Sequence, residues 1–325
     1  MEDLRESLSD WWKQDGSRPD PELRFILLSG DTVSDPGDDV AGCLRIAFDE
    51  ILDSDSQKVL LVDEELIRRL KDYQSVRHLL VKAVHENTVE VYYQPIYDAA
   101  EQKVVFAEAL ARLPDGKGGI VYPDIFIPIA EKEGLILQLG MQVFEKVCFF
   151  ISTHDMQALG LKSISVNLSP IQCRHKSIAE DLLETASRYG VDLHSVNFEI
   201  TESSMMDIDS LREVMQRLIE AGASFSLDDY GTGFSNLINV LSLPFRIVKI
   251  DKSIVWAYFQ GDEQVLPEIV RMFLTKRLQI LVEGVETPLM AEGLADMQCR
   301  YEQGYYFSRP VPEKRFLDYM NGRRP

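Results

Sequence analysis

Three observations predict an α/β fold dominated by a variant TIM-type (β/α)8 barrel with an antiparallel first strand and a small α/β fragment ahead of it. Eight apolar, β-rich runs follow one another between residues 89 and 306. Amphipathic helical stretches separate all but the first two of them. Seven of the runs close on a polar residue that an apolar strand would not otherwise choose.

The first strand-like segments are 24–30 (RFILLSG) and 58–63 (KVLLVD), and between them Val40, Leu44, Phe48, Ile51 and Leu52 recur at roughly helical spacing. Two strands and one helix cannot cover both faces of a sheet, so residues 1–62 read as an incomplete α/β segment. Asp63 can cap a helix with Glu64 and Glu65 in its first turn, and Leu66, Leu70, Tyr73, Leu80 and Val84 share one side of it. That helix, 63–86, is expected to link the segment to the barrel, 87–325.

The barrel strands are expected at 89–97, 104–112, 163–169, 196–202, 224–229, 246–251, 279–285 and 300–306. Helices such as 207–222 (DIDSLREVMQRLIEAG) and 288–299 (PLMAEGLADMQC) lie between later strands. Only Asp98 to Lys103 joins the first two, which is too short for a crossover helix, so those strands should be antiparallel neighbours.

Composition narrows the chemistry. With 53 acids against 34 bases and a net charge of -19, the chain is a poor partner for duplex nucleic acid or an anionic membrane surface. Cys43, Cys148, Cys173 and Cys299 are far apart with no CxxC pair, which argues against zinc and against a disulfide framework, and the histidines are equally scattered. There is no run of 18 apolar residues, and the start, MEDLRESLSDWW, is acidic rather than a signal peptide. A cytoplasmic protein is expected, either on its own or as the cytosolic part of a larger sensor protein.

The strand ends carry Glu108, Asn167, Glu199, Asp228 with Asp229, Lys249, Glu283 and Gln303. Alone, Asp228-Asp229-Tyr230-Gly231 would read as a solvated turn. Repetition of polar groups at the strand ends, where barrel catalytic groups gather, favours a shared oxygen-rich site. Such a donor set suits Mg²⁺ or Mn²⁺, and two ions about 4 Å apart with a bridging aspartate suit in-line displacement at phosphorus. Arg112, four residues after Glu108, offers a guanidinium fork for a phosphate.

At these residues the chain resembles the EAL-domain family of cyclic di-GMP phosphodiesterases. YYQPI (92–96), Glu108-Ala109-Leu110 with Arg112, VNLSP (166–170), FEITES (198–203), DDYGTGFSNL (228–237), VKID (248–251), EGVET (283–287) and QGYYFSRP (303–310) follow in family order. The resemblance implies hydrolysis of cyclic di-GMP to linear pGpG. It implies metal ligation by Glu108, Asn167, Glu199 and Asp228, with Asp228 bridging to a second ion that Asp229 also holds. Glu108, Lys249 and Glu283 would carry the chemistry, with Lys249 orienting or polarising the attacking water, Glu283 acting as metal partner or general base, and either of the two taking the proton.

Gln94, Leu110, Arg112 and Gln303 would contact substrate, and Glu202 would brace the Asp228–Ser235 loop. Tyr230, Phe234, Asn236 and Val282 depart from the usual family residues, yet none removes a ligand. A homodimer is expected from the same resemblance. The 24–63 fragment is similar to the last part of a GGDEF domain, but no GGDEF signature occurs, so no cyclase activity is expected. The competing reading is a catalytically idle EAL domain that acts as a cyclic di-GMP receptor or regulatory module. Such receptors usually lack one or more acidic ligands, and here the full set stands.

Overall fold

The computed structural model describes residues 25–28, 48, 59–62, 64–201, 208–232, 237–261 and 264–322. The chain divides into two compact units, Met1–His78 and Leu79–Pro325. In the first, β1 (Phe25–Leu28) and β2 (Val59–Val62) pair in parallel, with Phe25 opposite Val59. Of the helix expected between them only Phe48, which is helical, is among the described residues, and Asp63 lies outside them. A 23-residue helix, α1 (Glu64–Glu86), includes the point where the units divide. No helix among the described residues is long and apolar enough to cross a membrane.

The second unit begins with β3 (Glu90–Asp98) and β4 (Lys103–Pro114), then β5 (Ile120–Val121), α2 (Pro123–Lys132), α3 (Ile136–Thr153), β6 (Ser163–Asn167), α4 (Pro170–Cys173) and α5 (Ile178–Tyr189). It continues through β7 (Val196–Thr201), α6 (Ile208–Glu220), β8 (Ser224–Tyr230), α7 (Leu237–Ser242), β9 (Ile247–Ile250), α8 (Lys252–Gln260) and α9 (Leu266–Thr275). The last elements are β10 (Gln279–Val282), α10 (Pro288–Asp296), β11 (Tyr301–Glu302), β12 (Val311–Pro312) and α11 (Glu313–Met320). Eight strands close in the order β3-β4-β6-β7-β8-β9-β10-β11, and β11 returns to β3.

All eight expected strands are present. From β4 to β11 neighbours run parallel, whereas β3 is antiparallel to both β4 and β11. The hairpin between β3 and β4 explains this reversal. Asp98 Oδ1 accepts from the Ala100 and Glu101 amides at 3.0 Å each, an Asx-type turn in place of a crossover. Arg300 Nε donates to Asp98 Oδ2 at 3.1 Å and ties the turn to the start of β11.

Two short strands lie outside the sequence expectation: β5 extends β4 beyond the barrel rim, and β12 pairs with β3.

Strand periodicity of two sets the interior in layers. One layer is apolar on one side, where Ile247, Leu281 and Tyr301 cluster with Ile96 and Val105, and Phe106 packs against them. On the other side it is polar: Asn197 Nδ2 donates to Ser165 Oγ at 3.0 Å and Ser226 Oγ at 2.9 Å, while its Oδ1 accepts from Ser224 Oγ at 3.0 Å. These groups are buried but satisfied, so the polar side does not carry the cost of orphaned donors. Two residues further along their strands stand Glu108, Asn167, Glu199, Asp228, Lys249, Glu283 and Gln303.

Candidate active site

Lys249 is the hub of that second layer. Its side chain is 1% exposed, and Nζ lies 2.8 Å from Glu199 Oε2, 2.8 Å from Asp228 Oδ1, 3.0 Å from Glu283 Oε1 and 3.3 Å from Glu108 Oε2. The strands are staggered rather than level: Asn167 lies opposite Glu199, but Glu108 lies opposite Ser165, Asp228 opposite Thr201 and Lys249 opposite Leu281, a stagger that goes with the tilt of barrel strands. Asn167 Nδ2 donates to Glu108 Oε1 at 3.1 Å, which joins the amide to the same cluster.

Asp228 and Asp229 are neighbours, so in a regular strand they would face opposite sides of the sheet. The β8–β9 register shifts between Leu227 and Tyr230, and Asp229 adopts the left-handed region at φ 54. Such an irregularity re-aims side chains, and here both carboxylates line one cavity. Asp tolerates left-handed backbone better than most residues, which fits its choice at this position. The turn is closed by Thr232, whose Oγ1 donates to the Asp229 carbonyl at 2.9 Å.

One ligand oxygen from each of Glu108, Glu199 and Asp228 lies within 4.8 Å of the others, and Asp228, Asp229 and Glu283 form a second such group. Asp228 belongs to both. Were all four carboxylates ionised, one ammonium would leave three negative charges before Asp229 is counted.

The protonation equilibria respond to that crowding. Burial and the neighbouring acids push Glu199 well above the ordinary carboxylate range against the pull of Lys249, and burial likewise raises Asp228. Burial, then the Asp228 charge, lifts Asp229 to about 6, and burial lifts Glu283 to about 8. Glu108 goes the other way: burial alone would raise it, but the Lys249 charge and hydrogen bonds from Gln303 and Asn167 hold it low. Burial would lower Lys249, yet the four surrounding acids outweigh it and keep the ammonium charged. An oxygen-only cluster this negative has the chemistry of a divalent-cation site.

The cavity beside this cluster has a volume of about 750 Å³, and all eleven described residues predicted for the site line it. Gln303 Nε2 donates to Glu108 Oε2 at 2.7 Å and to Gln94 Oε1 at 3.0 Å. Gln303 Oε1 is buried and has no partner among the described residues, so an acceptor remains for a ligand. Glu108, Leu110 and Arg112 alternate along β4 and share its cavity face, with Gln94 opposite Glu108 on β3. Glu108 therefore sits inside β4 rather than at its end, because β4 runs on past the rim to meet β5. Glu202 lies outside the described residues.

Arg112 is buried, and its Nη1 donates to the Ala111 carbonyl at 2.9 Å. Its guanidinium lies over two rings, 5.7 Å from the Tyr92 centroid and 5.5 Å from that of Tyr122.

Backbone proximity fixes the far wall. A Cβ on Gly304 would meet Val285 O at 2.1 Å and Val285 N at 2.3 Å, so only glycine lets the Gln303 segment lie against the Glu283 segment. Gly284, at φ 70, is held by Trp256 Nε1, which donates to its carbonyl at 2.8 Å. Trp256, Lys252, Tyr122, Glu131 and Glu286 also line the cavity without having been singled out from the sequence. The usable signal there was position: Lys252 follows VKID directly, and Trp256 is four residues, one helical turn, further on.

The family model described as the EAL domain matches residues 77–310. The oxygen sensor protein DosP of Escherichia coli K12 is 35% identical over 249 residues, 76% of this chain and 31% of DosP. The probable cyclic di-GMP phosphodiesterase PdeB of the same organism is 35% identical over 262 residues, 79% of this chain and 49% of PdeB. This chain thus spans half or less of the length of these curated relatives. The structure of the PaMucR phosphodiesterase in its c-di-GMP complex superposes with a TM-score of 0.70 at 31% identity, covering 74% of this chain and 99% of that one. With the family match running through the whole barrel and its acidic layer, the chain belongs to the EAL-domain family.

Proposed function

We propose that this chain hydrolyses one phosphodiester of cyclic di-GMP to give linear pGpG, with Mg²⁺ or Mn²⁺ held in two sites. The observation that carries the reading is the complete acidic layer around Lys249. Four carboxylates within 3.3 Å of one ammonium call for further positive charge, and every donor is oxygen.

Glu108, Asn167, Glu199 and Asp228 would hold one ion, and Asp228 with Asp229 the other. When bound, the ions would neutralise the phosphate oxygens and lower the pKa of the attacking water. The chain's own groups do the rest. Gln94, Gln303, Leu110 and Arg112 bind and orient the dinucleotide, and Arg112 presents its fixed guanidinium to a phosphate.

Lys249 and Glu283, 3.0 Å apart, face the nucleophile: Lys249 orients the water oxygen and Glu283 stands within reach of its proton. That oxygen bonds to phosphorus, the P–O3′ bond breaks, and the released 3′ oxygen takes a proton. The product carries a 5′-phosphate and a free 3′-hydroxyl. Glu202 would brace the loop after Asp229, in keeping with the family resemblance.

The same proposal treats 87–325 as the phosphodiesterase barrel, 63–86 as a linker helix and 1–62 as an α/β segment. Cys148, Cys173 and Cys299 are free and buried, which supports a cytoplasmic setting. A homodimer is proposed on the resemblance alone, and sedimentation at twice the chain mass would support it. The central test is chromatography of cyclic di-GMP incubated with the protein and Mn²⁺, with Glu108→Ala as control. pGpG from the wild type alone supports hydrolysis, whereas retained binding without pGpG would favour a receptor.

A further inference from the structure

Tyr122 breaks two local rules at once. It occupies the N-cap of α2 at φ -84 and ψ 156, yet its side chain makes no capping hydrogen bond. Ser, Thr, Asp or Asn would accept a bond from the first-turn amides at that position, and an aromatic ring cannot. The ring is also 59% exposed, although it belongs to the wall of the cavity that holds the acidic layer. A side chain that serves neither the helix nor the core, but stands on a cavity rim, has the placement expected of a ligand contact.

Its surroundings say what kind of ligand. The Arg112 guanidinium lies over the Tyr122 ring, 5.5 Å from its centroid, and over the Tyr92 ring, 5.7 Å from its centroid, so one cation packs on both rings. Arg112 is 6% exposed and anchored to the Ala111 carbonyl, which makes the support rigid. Pro123 follows Tyr122 directly and restricts its backbone to the extended region, so little freedom is left to lose on binding. A preset aromatic ring, backed by a cation and open to the cavity, suits a planar heteroaromatic group, and a guanidinium beside it suits the phosphate attached to that group.

We infer that Tyr122 is a stacking platform for one purine base of the dinucleotide and thereby determines affinity for it. This rests on the substrate reading above.

The test compares Tyr122→Ser and Tyr122→Phe with the wild type, measuring the melting temperature, KM and kcat with cyclic di-GMP and Mn²⁺. Serine supplies the missing cap, so Tyr122→Ser should melt at or above the wild-type temperature. It should nevertheless raise KM by about 5- to 150-fold, the range that loss of one base stack gives, with kcat little changed. Tyr122→Phe keeps the ring face and should retain the wild-type KM.

An unchanged KM in Tyr122→Ser would overturn the platform. So would equal weakening in Tyr122→Phe, which would assign the effect to the hydroxyl. A fall in kcat that tracks a fall in melting temperature would make the role structural and overturn it too. A wild type that neither cleaves nor binds cyclic di-GMP would remove the substrate reading itself, an outcome distinct from a working enzyme indifferent to Tyr122→Ser.

Discussion

Replacing Lys249 by methionine removes the ammonium while keeping most of the side-chain volume. Without it, Glu108, Glu199, Asp228 and Glu283 lose the cation that lies 2.8 to 3.3 Å from each of them. Removing one partner of a buried ionic cluster typically costs roughly 3–5 kcal/mol, because the remaining charges are left uncompensated in a poorly solvated site. At about 2–4 °C per kcal/mol for a unit of this size, the metal-free variant should melt some ~6–20 °C below the wild type.

A divalent ion that binds only the folded state adds about 2.7 kcal/mol at a hundredfold excess over its dissociation constant. With the competing ammonium gone, the ion should stabilise the variant more than the wild type. Calorimetry of both proteins in EDTA and then in excess Mg²⁺ measures the two differences. If Lys249→Met melts within a degree of the wild type in EDTA, the acids are relieved by protonation alone and the electrostatic reasoning fails. Equal metal increments in both proteins would refute the competition between Lys249 and the ion.

Other outcomes follow from the same structure. Asp228 belongs to both ligand groups and Asp229 to one, so Asp228→Asn should cost more Mn²⁺ affinity in a calorimetric titration than Asp229→Asn; equal losses would undo the bridging role. Glu302 is buried, its Oε1 lacks a partner among the described residues, and burial raises its pKa from 4.5 to about 7. The folded protein therefore holds that proton more tightly than the unfolded chain, and stability should fall by roughly 3 kcal/mol as pH rises from 4.5 through 7. Glu302→Gln should flatten that slope in urea titrations, and parallel slopes would contradict the assignment. Gly304→Ala would drive a methyl into the Val285 backbone. It should cost about 1–3 kcal/mol and lower kcat by shifting Gln303 from Glu108, and a fully active, equally stable variant would show that the two segments can part.

The eight strands were legible because each is a short apolar, β-rich run, and the antiparallel start followed from a connection too short for a helix. The recurrence of a polar residue at the strand ends made Asn167, Glu199, Lys249 and Gln303 readable as one shared site. Other features depend on what the fold brings together. The bulge that aims Asp228 and Asp229 into one cavity arises from pairing with β9, and no local pattern marks it.

Glu108 was grouped with the strand ends although the expected strand ran to 112; what the chain gave no sign of is the pairing of the end of β4, at Leu113 and Pro114, with β5. Ser165, Asn197 and Ser226 are unremarkable singly, and only closure of the barrel makes them a satisfied polar layer. Tyr122 stood in a segment, GGIVYP, whose turn character hid it. Its proximity to Arg112 exists only once β5 folds back on β4.

The most direct measurement of the central claim is hydrolysis of cyclic di-GMP in ¹⁸O-enriched water with Mn²⁺, followed by mass spectrometry of the product. Water attack at phosphorus should give pGpG with one ¹⁸O in its 5′-phosphate and none at the 3′-hydroxyl. Cyclic di-GMP recovered intact from a protein that binds it, or pGpG without the label in its phosphate, would contradict the account.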